Sequence, residues 1–417
     1  MDELRAADVN LTDWAFWRAP HEHRHAAFAA LRGEPRLPRF EEPEVFVVPR
    51  GPGYYAVTRH ADVVEASRRP QDFCSGRGAI SIPDMPGDMH EYFGSMISMD
   101  DPRHAKIRRI VSRAFSPRMV RRFDEQVREV AARLVAGVAA GEGTGDFVAD
   151  VAARLPLTIV CDLMGIGAEH HAAVLAASNT ILAGNDAEFI PLGEPDRIVV
   201  ALLDAAQTLK AIVEDLAARR RAEPADDLTS ALVNANIDGE SLTDQELGSF
   251  FILLVVAGNE TTRNAIAHGL DLFTQHPEQR ELLLADFEGR IGGAVEEIVR
   301  YVSPVIWMRR TATRDTTLNG HDVAAGDKLV LYYWSANRDE SVFPEPERFD
   351  ILRDTSGHVG FGGPGPHFCL GAHLARREVS VLFRELFGRL PDVRATGAPD
   401  RLESAFVNGI KRLPYTG

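Results

Sequence analysis

The chain has 417 residues, 45% of them hydrophobic and 26% charged, with a formal net charge of −15. Such a composition suits a globular protein with a deep interior, and the acidic balance argues against general nucleic-acid binding. Its three cysteines, Cys74, Cys161 and Cys369, are too scattered for a disulfide framework or a multi-cysteine zinc or iron–sulfur site.

The first residues, Met1-Asp2-Glu3-Leu4-Arg5, put acids where a secretory signal carries a basic flank. The longest apolar run, Phe250 to Ala257, falls far short of the roughly 20 residues needed to cross a bilayer. A cytoplasmic protein without a membrane anchor is expected. No linker, low-complexity tract or repeat marks a boundary, so one domain over residues 1–417 is expected.

Tyr54 to Thr58 reads as a strand, with Val45 to Val48 as its hairpin partner across the Pro49-Arg50-Gly51-Pro52-Gly53 turn. From about Pro102 to Leu284 the pattern is helical, broken near Ala183 to Pro195 and Asn234 to Glu240. Thr243-Asp244-Gln245-Glu246 has the form of a capping box, which starts a long helix to about Thr274, closed by His276-Pro277. Met308 to Thr313 and Lys328 to Trp334 read as short strands, followed by a Pro-rich stretch from Phe343 to Asp350. Helix dominates, with a small β region.

The stretch Phe361-Gly362-Gly363-Pro364-Gly365-Pro366-His367-Phe368-Cys369-Leu370-Gly371 sets one cysteine directly before a helical run, Ala372 to Phe387. Glycines let such a loop approach a flat macrocycle closely, and free N–H groups at a helix start favour a thiolate. An arbitrary cysteine after a turn is more often a buried structural thiol. This segment, however, resembles the haem-binding signature of the cytochrome P-450 superfamily, and the other motifs of that family follow in order. The resemblance runs from about Tyr54 to the C-terminus. It implies the mainly α, triangular-prism P-450 fold and haem b held between the long central helix and the helix after the cysteine loop. Cys369 would be its axial metal ligand, since a thiolate pushes electron density onto iron and favours O–O cleavage. Phe361, which would shield the sulfur, lies eight positions before Cys369, one more than in many bacterial members. Gly362 and Gly371 belong to the same cradle.

Ala257-Gly258-Asn259-Glu260-Thr261-Thr262 interrupts the apolar helix with a carboxylate and two hydroxyls, a combination that must be satisfied in a core. A kink with threonine hydroxyls bonded to the preceding turn is the plain reading. The resemblance implies instead an acid–alcohol pair: Thr261 opens the helix near Ala257 and Gly258 for dioxygen, and Glu260 relays protons. Asn259 receives no role.

Glu297-Ile298-Val299-Arg300 pairs acid and base one helical turn apart, usually a weak surface contact. In the family pattern, Glu297, Arg300 and Arg348 form a buried structural network. Similarly, His104 and Arg108 at i and i+4, Arg310 and His367 would clamp the haem propionates.

Between Pro102 and Arg122 stand eight basic residues and no acid: Arg103, Lys106, Arg108, Arg109, Arg113, Arg118, Arg121 and Arg122. A solvated face explains this equally well as it stands. The family docks an acidic ferredoxin there, so ferredoxin and ferredoxin reductase are the expected partners, with no nucleic acid and a monomeric enzyme. The access region should include Ala79 to Met99 as a flexible segment with Met85, Met89, Tyr92, Phe93 and Met96. Leu253, Val256, Ala257, Ile306, Phe406 and Val407 should also line the pocket, implying a hydrophobic substrate.

The Asn-Glu-Thr-Thr-Arg-Asn run and the long cysteine loop are similar to those of bacterial sterol, methyl-branched-lipid and terpenoid hydroxylases. The expected reaction inserts one atom of O2 into a C–H bond with electrons from NAD(P)H. Rival readings are a peroxide-using or isomerising haem-thiolate enzyme, and a haem sensor or carrier that does not turn over.

Overall fold

A computed structural model describes residues 4–44, 48–114, 117–141, 144–191, 193–236 and 239–417. Helices of eight or more residues are α1 (His21–Gly33), α2 (His60–Arg68), α3 (Gly87–Gly94), α4 (Arg103–Ala114), α5 (Pro117–Ala140), α6 (Arg154–Met164), α7 (His171–Leu182), α8 (Pro195–Ala222), α9 (Asp244–Gln275), α10 (Pro277–Ala285), α11 (Phe287–Val302) and α12 (Ala372–Arg389). Among the described residues, none is long and apolar enough to cross a membrane.

Helix α9 is the axis of the structure. The Thr243 hydroxyl accepts from the Glu246 N–H at 3.1 Å and the Glu246 carboxylate accepts from the Thr243 N–H at 3.0 Å, the reciprocal pattern that satisfies two orphan donors. Helices α6, α7, α8, α11 and α12 pack around α9. Two apolar cores result. One gathers Ile266, Leu270 and Phe273 of α9 with Ile298 of α11 and Leu382, Phe383 and Leu386 of α12. The other gathers Phe250, Phe251 and Val255 of α9 with Val160, Leu209 and Val213.

The main sheet has five strands in the order β1 (Arg39–Phe40), β2 (Tyr54–Val57), β5 (Lys328–Tyr332), β4 (Trp307–Ala312) and β3 (Phe73–Cys74). The partner of β2 differs from expectation. It pairs antiparallel with β1, Phe40 opposite Tyr54, and parallel with β5, Tyr55 opposite Leu329. Of the expected hairpin arm, Val45, Phe46 and Val47 lie outside the described residues. The expected strand over Lys328 to Trp334 ends at Tyr332, where the chain turns into the short helix Tyr333–Ala336.

The Glu297 network is built differently from expectation. Arg300 Nε and Nη2 donate to Glu297 at 2.7 and 2.9 Å, both side chains being wholly buried. Arg300 Nη1 also donates to the Asn337 and Pro346 carbonyls. Arg348 takes no part: its side chain is 55% exposed and pairs with Glu345 at 3.2 Å and Asp350 at 3.0 Å. The third member is Arg353, whose Nε meets Glu297 at 3.3 Å. The Asp350 N–H donates to Glu297 at 3.0 Å, and a turn closed from the Arg353 N–H to the Asp350 carbonyl brings the later arginine back over the carboxylate.

Candidate active site

The cysteine loop enters α12 from its N-terminal side. Gly362 at φ +86° and Gly365 at φ +153° occupy backbone regions that only glycine adopts without strain. A Cβ at Gly365 would also lie 2.2 Å from the Ser67 carbonyl oxygen, so the loop presses on the end of α2. The Cys369 N–H donates to the Phe361 carbonyl at 3.0 Å, closing the loop on itself. Phe361 in turn lies under the Arg376 guanidinium at 4.3 Å.

Cys369 sits deep in the protein yet retains accessible surface, unlike buried Cys74 and Cys161. Burial pushes its thiol up. The Gly371 N–H, the Arg108 and Arg376 guanidiniums and the Ala372 N–H act in the opposite direction, toward the thiolate. The helix start thus supplies donors to sulfur.

Four cationic or potentially cationic side chains converge beside the loop. The His104 and His367 rings lie 4.3 Å apart. Burial holds the His367 imidazole down at about 2, and Arg310, His104 and Arg108 add to that effect. Arg108 Nη2 donates to the Phe368 carbonyl at 2.8 Å, and Arg310 Nη1 to the Arg309 carbonyl at 2.8 Å. His104 is buried, and its Nε2 has no hydrogen-bond partner among the described residues. Such a cluster calls for carboxylates from outside the chain.

Opposite the loop, α9 breaks its own pattern of burial. Phe250, Phe251, Ile252 and Val255 are enclosed, whereas Leu253, Leu254, Val256, Ala257, Gly258 and Thr261 keep partial exposure in the middle of the molecule. Positions 253, 257 and 261 share one helical face. Leu370 and Leu374, flanking the cysteine, pack into the same cluster as Leu253, Leu254 and Val256. A Cβ at Gly258 would meet only Val160, at 4.0 Å, and one at Gly371 would meet nothing within 4 Å. The sulfur, the propionate-sized cation cluster and this open face fit one flat, dianionic macrocycle. Haem satisfies each of these features.

At the exposed face the Thr261 hydroxyl donates to the Ala257 carbonyl at 2.7 Å, and α9 runs through without interruption. Glu260 is 1% exposed. It takes an ion pair from Arg263 and a 3.5 Å bond from Asn264, and its Oε2 has no partner among the described residues. Burial pushes the Glu260 carboxyl up, against the pull of Arg263. Arg263 Nη1 reaches Asn179 of α7 at 2.9 Å. The role of Arg263 was not read from sequence, although its i+3 spacing from Glu260 is visible there.

Residues 43–391 match the cytochrome P-450 family profile. The chain belongs to the cytochrome P-450 family. The methyl-branched lipid omega-hydroxylase of Mycobacterium tuberculosis is 47% identical over 416 residues, 99% of this chain and 96% of that one. The steroid C26-monooxygenase of Mycolicibacterium smegmatis is 40% identical over 372 residues, 88% of this chain and 84% of that one. Among solved structures, a Mycobacterium marinum cytochrome P-450 in complex with pseudoionone superposes with a TM-score of 0.92 at 41% identity, covering 98% of both chains. This protein is therefore a P-450 monooxygenase with haem b as cofactor, and its fold is the P-450 fold.

The expected substrate residues fall into two groups. Phe93, Met96, Leu253 and Val256 meet in the cluster beside the exposed face of α9. Ile306 and Val407 are enclosed instead. Phe406 packs at 4.9 Å on Trp307 in a separate core, and the Ile306 N–H donates to its carbonyl at 2.8 Å. Val305, bridged to Val407, is the partly exposed residue at this turn and packs against a further apolar core that holds Leu331 and Tyr333. The segment expected to be flexible contains α3 and a 3-10 turn over Ser95–Ser98, and α3 packs against α9.

The basic face is also partly consumed. Arg103 pairs with Glu91 and Glu246, Arg109 with Glu240, and Arg122 with Asp226. Arg113 and Arg121 remain exposed, and the side chain of Arg118 is outside the description.

Proposed function

We propose that this P-450 hydroxylates a C–H bond at the end of a long apolar substrate of the methyl-branched-lipid or sterol-side-chain kind. The observation that carries the reading is the accessible apolar face of α9, Leu253, Leu254, Val256 and Ala257, which ends at Thr261 and Glu260. A hydrocarbon gains about 25 cal/mol per Å² on burial against such a face, and needs few hydrogen bonds. The named activities of the relatives point to the same chemistry.

The haem supplies the activation and cleavage of O2. Cys369 ligates its iron, and His104, Arg108, Arg310 and His367 bind its propionates. Phe361, Gly362 and Gly371 shape the cradle around the sulfur. Phe93, Met96, Leu253, Val256 and Val305 face the substrate, while Ile306, Phe406 and Val407 support that wall. Burial raises the Glu260 carboxyl and so favours its holding a proton, while the paired Arg263 pulls the other way and keeps the group in place. Thr261, whose hydroxyl donates to the Ala257 carbonyl on the open face of α9, would position a proton donor there.

Electrons come from NAD(P)H through a ferredoxin reductase and a ferredoxin. Arg113 and Arg121 are among the basic side chains left to meet an acidic partner, while Arg103, Arg109 and Arg122 stiffen the helices beneath. Titration of the holoenzyme with methyl-branched fatty acids, sterols and terpenoids tests the substrate class. A low-spin to high-spin shift is expected, and ferredoxin, reductase and NAD(P)H together should then yield a product one oxygen atom heavier, hydroxylated near the chain end. No spin shift from any of these, or turnover indifferent to ferredoxin, rejects the proposal.

A further inference from the structure

A second cavity, of about 770 Å³, lies away from the haem-binding residues between α1, the last turns of α9 and the end of α11. Its size is that of a small-molecule site. Its wall is mixed, with Ala26, Ala29, Leu272 and Val302 beside the basic and imidazole side chains of His21, His25, His268, Arg338 and Arg401.

The wall is short of acceptors. Arg338 is 3% exposed; its Nε reaches Glu347 at 3.0 Å and its Nη2 the Tyr301 carbonyl at 2.7 Å, but Nη1 is buried without a hydrogen-bond partner among the described residues. Arg401 Nη1, His21 Nε2 and His25 Nε2 are in the same condition. Behind them Arg24, also with an unpartnered Nε, sits 4.8 Å over the Trp334 ring, against which His21 and His25 pack edge-on. His25, whose Nδ1 meets the Glu347 carboxylate, presents an Nε2 lone pair in its neutral ring, whereas arginine nitrogens can only donate, so Arg338 and Arg401 lack acceptors.

The carboxylates at the cavity do not supply them. Glu347 is shared by Arg338 and His25, and Glu340 is taken by Arg32. Asp271 and Glu22 act on Arg401 through their charge, but leave its Nη1 unbonded. The cations meanwhile repel one another. Burial, then Arg401 and Arg338, lower Arg24 to about 10, and burial with Arg401 lowers His268 to about 3. Leaving buried donors unmade is unfavourable, and a charge-assisted pair to an oxyanion relieves both defects at once.

We propose that this cavity is a second ligand site, which takes a small molecule by a compact oxyanion, a carboxylate or a phosphate, held by Arg338 and Arg401 with His21 at its flank. The test is thermal unfolding of the holoenzyme with inorganic phosphate in one arm and succinate in the other, ionic strength being matched with potassium chloride. A saturable rise in Tm is expected in at least one arm, because a ligand that binds only the folded state stabilises it. The responding arm identifies the source of the oxyanion. R401Q should abolish the rise, whereas R113Q, on the basic face of α4, should keep it. If R401Q does not fold, H21A provides the second variant, with an apparent affinity weakened by tenfold or more. A response no larger than that to chloride, one unaltered in R401Q or H21A, or one lost in R113Q overturns the proposal, leaving solvent as the cavity's occupant or the basic helix as the binding site.

Discussion

The clearest quantitative test sets Arg353 against Arg348, two arginines five residues apart. Glu297 is wholly buried and accepts from Arg300, Arg353 and the Asp350 N–H. Arg353 is 8% exposed and also donates to the carbonyls of Pro344, Glu345 and Arg348. Removing one partner of a buried, hydrogen-bonded pair destabilises by about 3–5 kcal/mol, so R353Q and E297Q should each lose that much. Arg348 makes only exposed pairs, which contribute about 0–1 kcal/mol, so R348Q should be nearly silent. Urea unfolding of each holoenzyme, followed by far-UV circular dichroism and by haem absorbance, reads the difference. Against a typical total of about 5–15 kcal/mol, the R353Q loss should also accelerate haem release. Equal midpoints for R353Q and R348Q, or a larger loss in R348Q, would refute the assignment of Arg353 to the network.

Other expectations follow from the site. C369A should retain the helical fold but lose the thiolate-type carbon monoxide difference spectrum; a spectrum unchanged in that variant removes sulfur from the iron. T261A should keep that spectrum while diverting electrons to hydrogen peroxide, read as product formed per NAD(P)H consumed; undiminished coupling would end the proton-delivery role. Glu296 gives a pH-dependent term: burial opposes ionisation, yet hydrogen bonds from His358 and Arg376 hold its carboxyl down at about 2. A folded-state value below the unfolded one of about 4.3 contributes stability at neutral pH that is lost as pH falls through the window from about 4.3 to about 2. Wild type should therefore exceed E296Q by about 2–3 kcal/mol at pH 7, with the gap closing across that window; a gap constant with pH contradicts the linkage.

Much of the fold was legible because its signals are local. The capping box at Thr243 to Glu246 fixed the start of α9, and Pro277 its end, since both act through neighbouring backbone groups. The last helix was likewise readable from the Gly-rich loop before it. Strand pairing was not. β2 lies beside β5, more than 270 residues later in the chain, and nothing in Tyr54 to Val57 encodes that neighbour. An adjacent turn-like Pro-Gly sequence instead suggested a hairpin arm.

The site divides by the same physics. Cys369, Thr261 and Glu260 were singled out through the family resemblance, which rests on marks that sequence carries locally: a glycine-rich loop before a helix and polar residues inside an apolar one. Roles set by how a loop returns left no mark. From sequence alone Arg348 and Arg353 are both basic residues after a Pro-rich stretch; only the turn from Asp350 to Arg353 decides which one comes back over Glu297 and which one meets water. Ile306 and Val305 differ in the same manner. Successive side chains of an extended stretch point to opposite sides, so a shift of one position exchanges the enclosed residue for the partly exposed one. The substrate contact proposed for Val305 thus rests on the geometry of the Ser303 to Trp307 turn, where Ser303 adopts φ +45° and its hydroxyl donates to the Arg300 carbonyl at 2.9 Å. Substitution at Val305 should consequently change which substrates shift the spin state, whereas an equal change in volume at Ile306 should be felt first as lost stability.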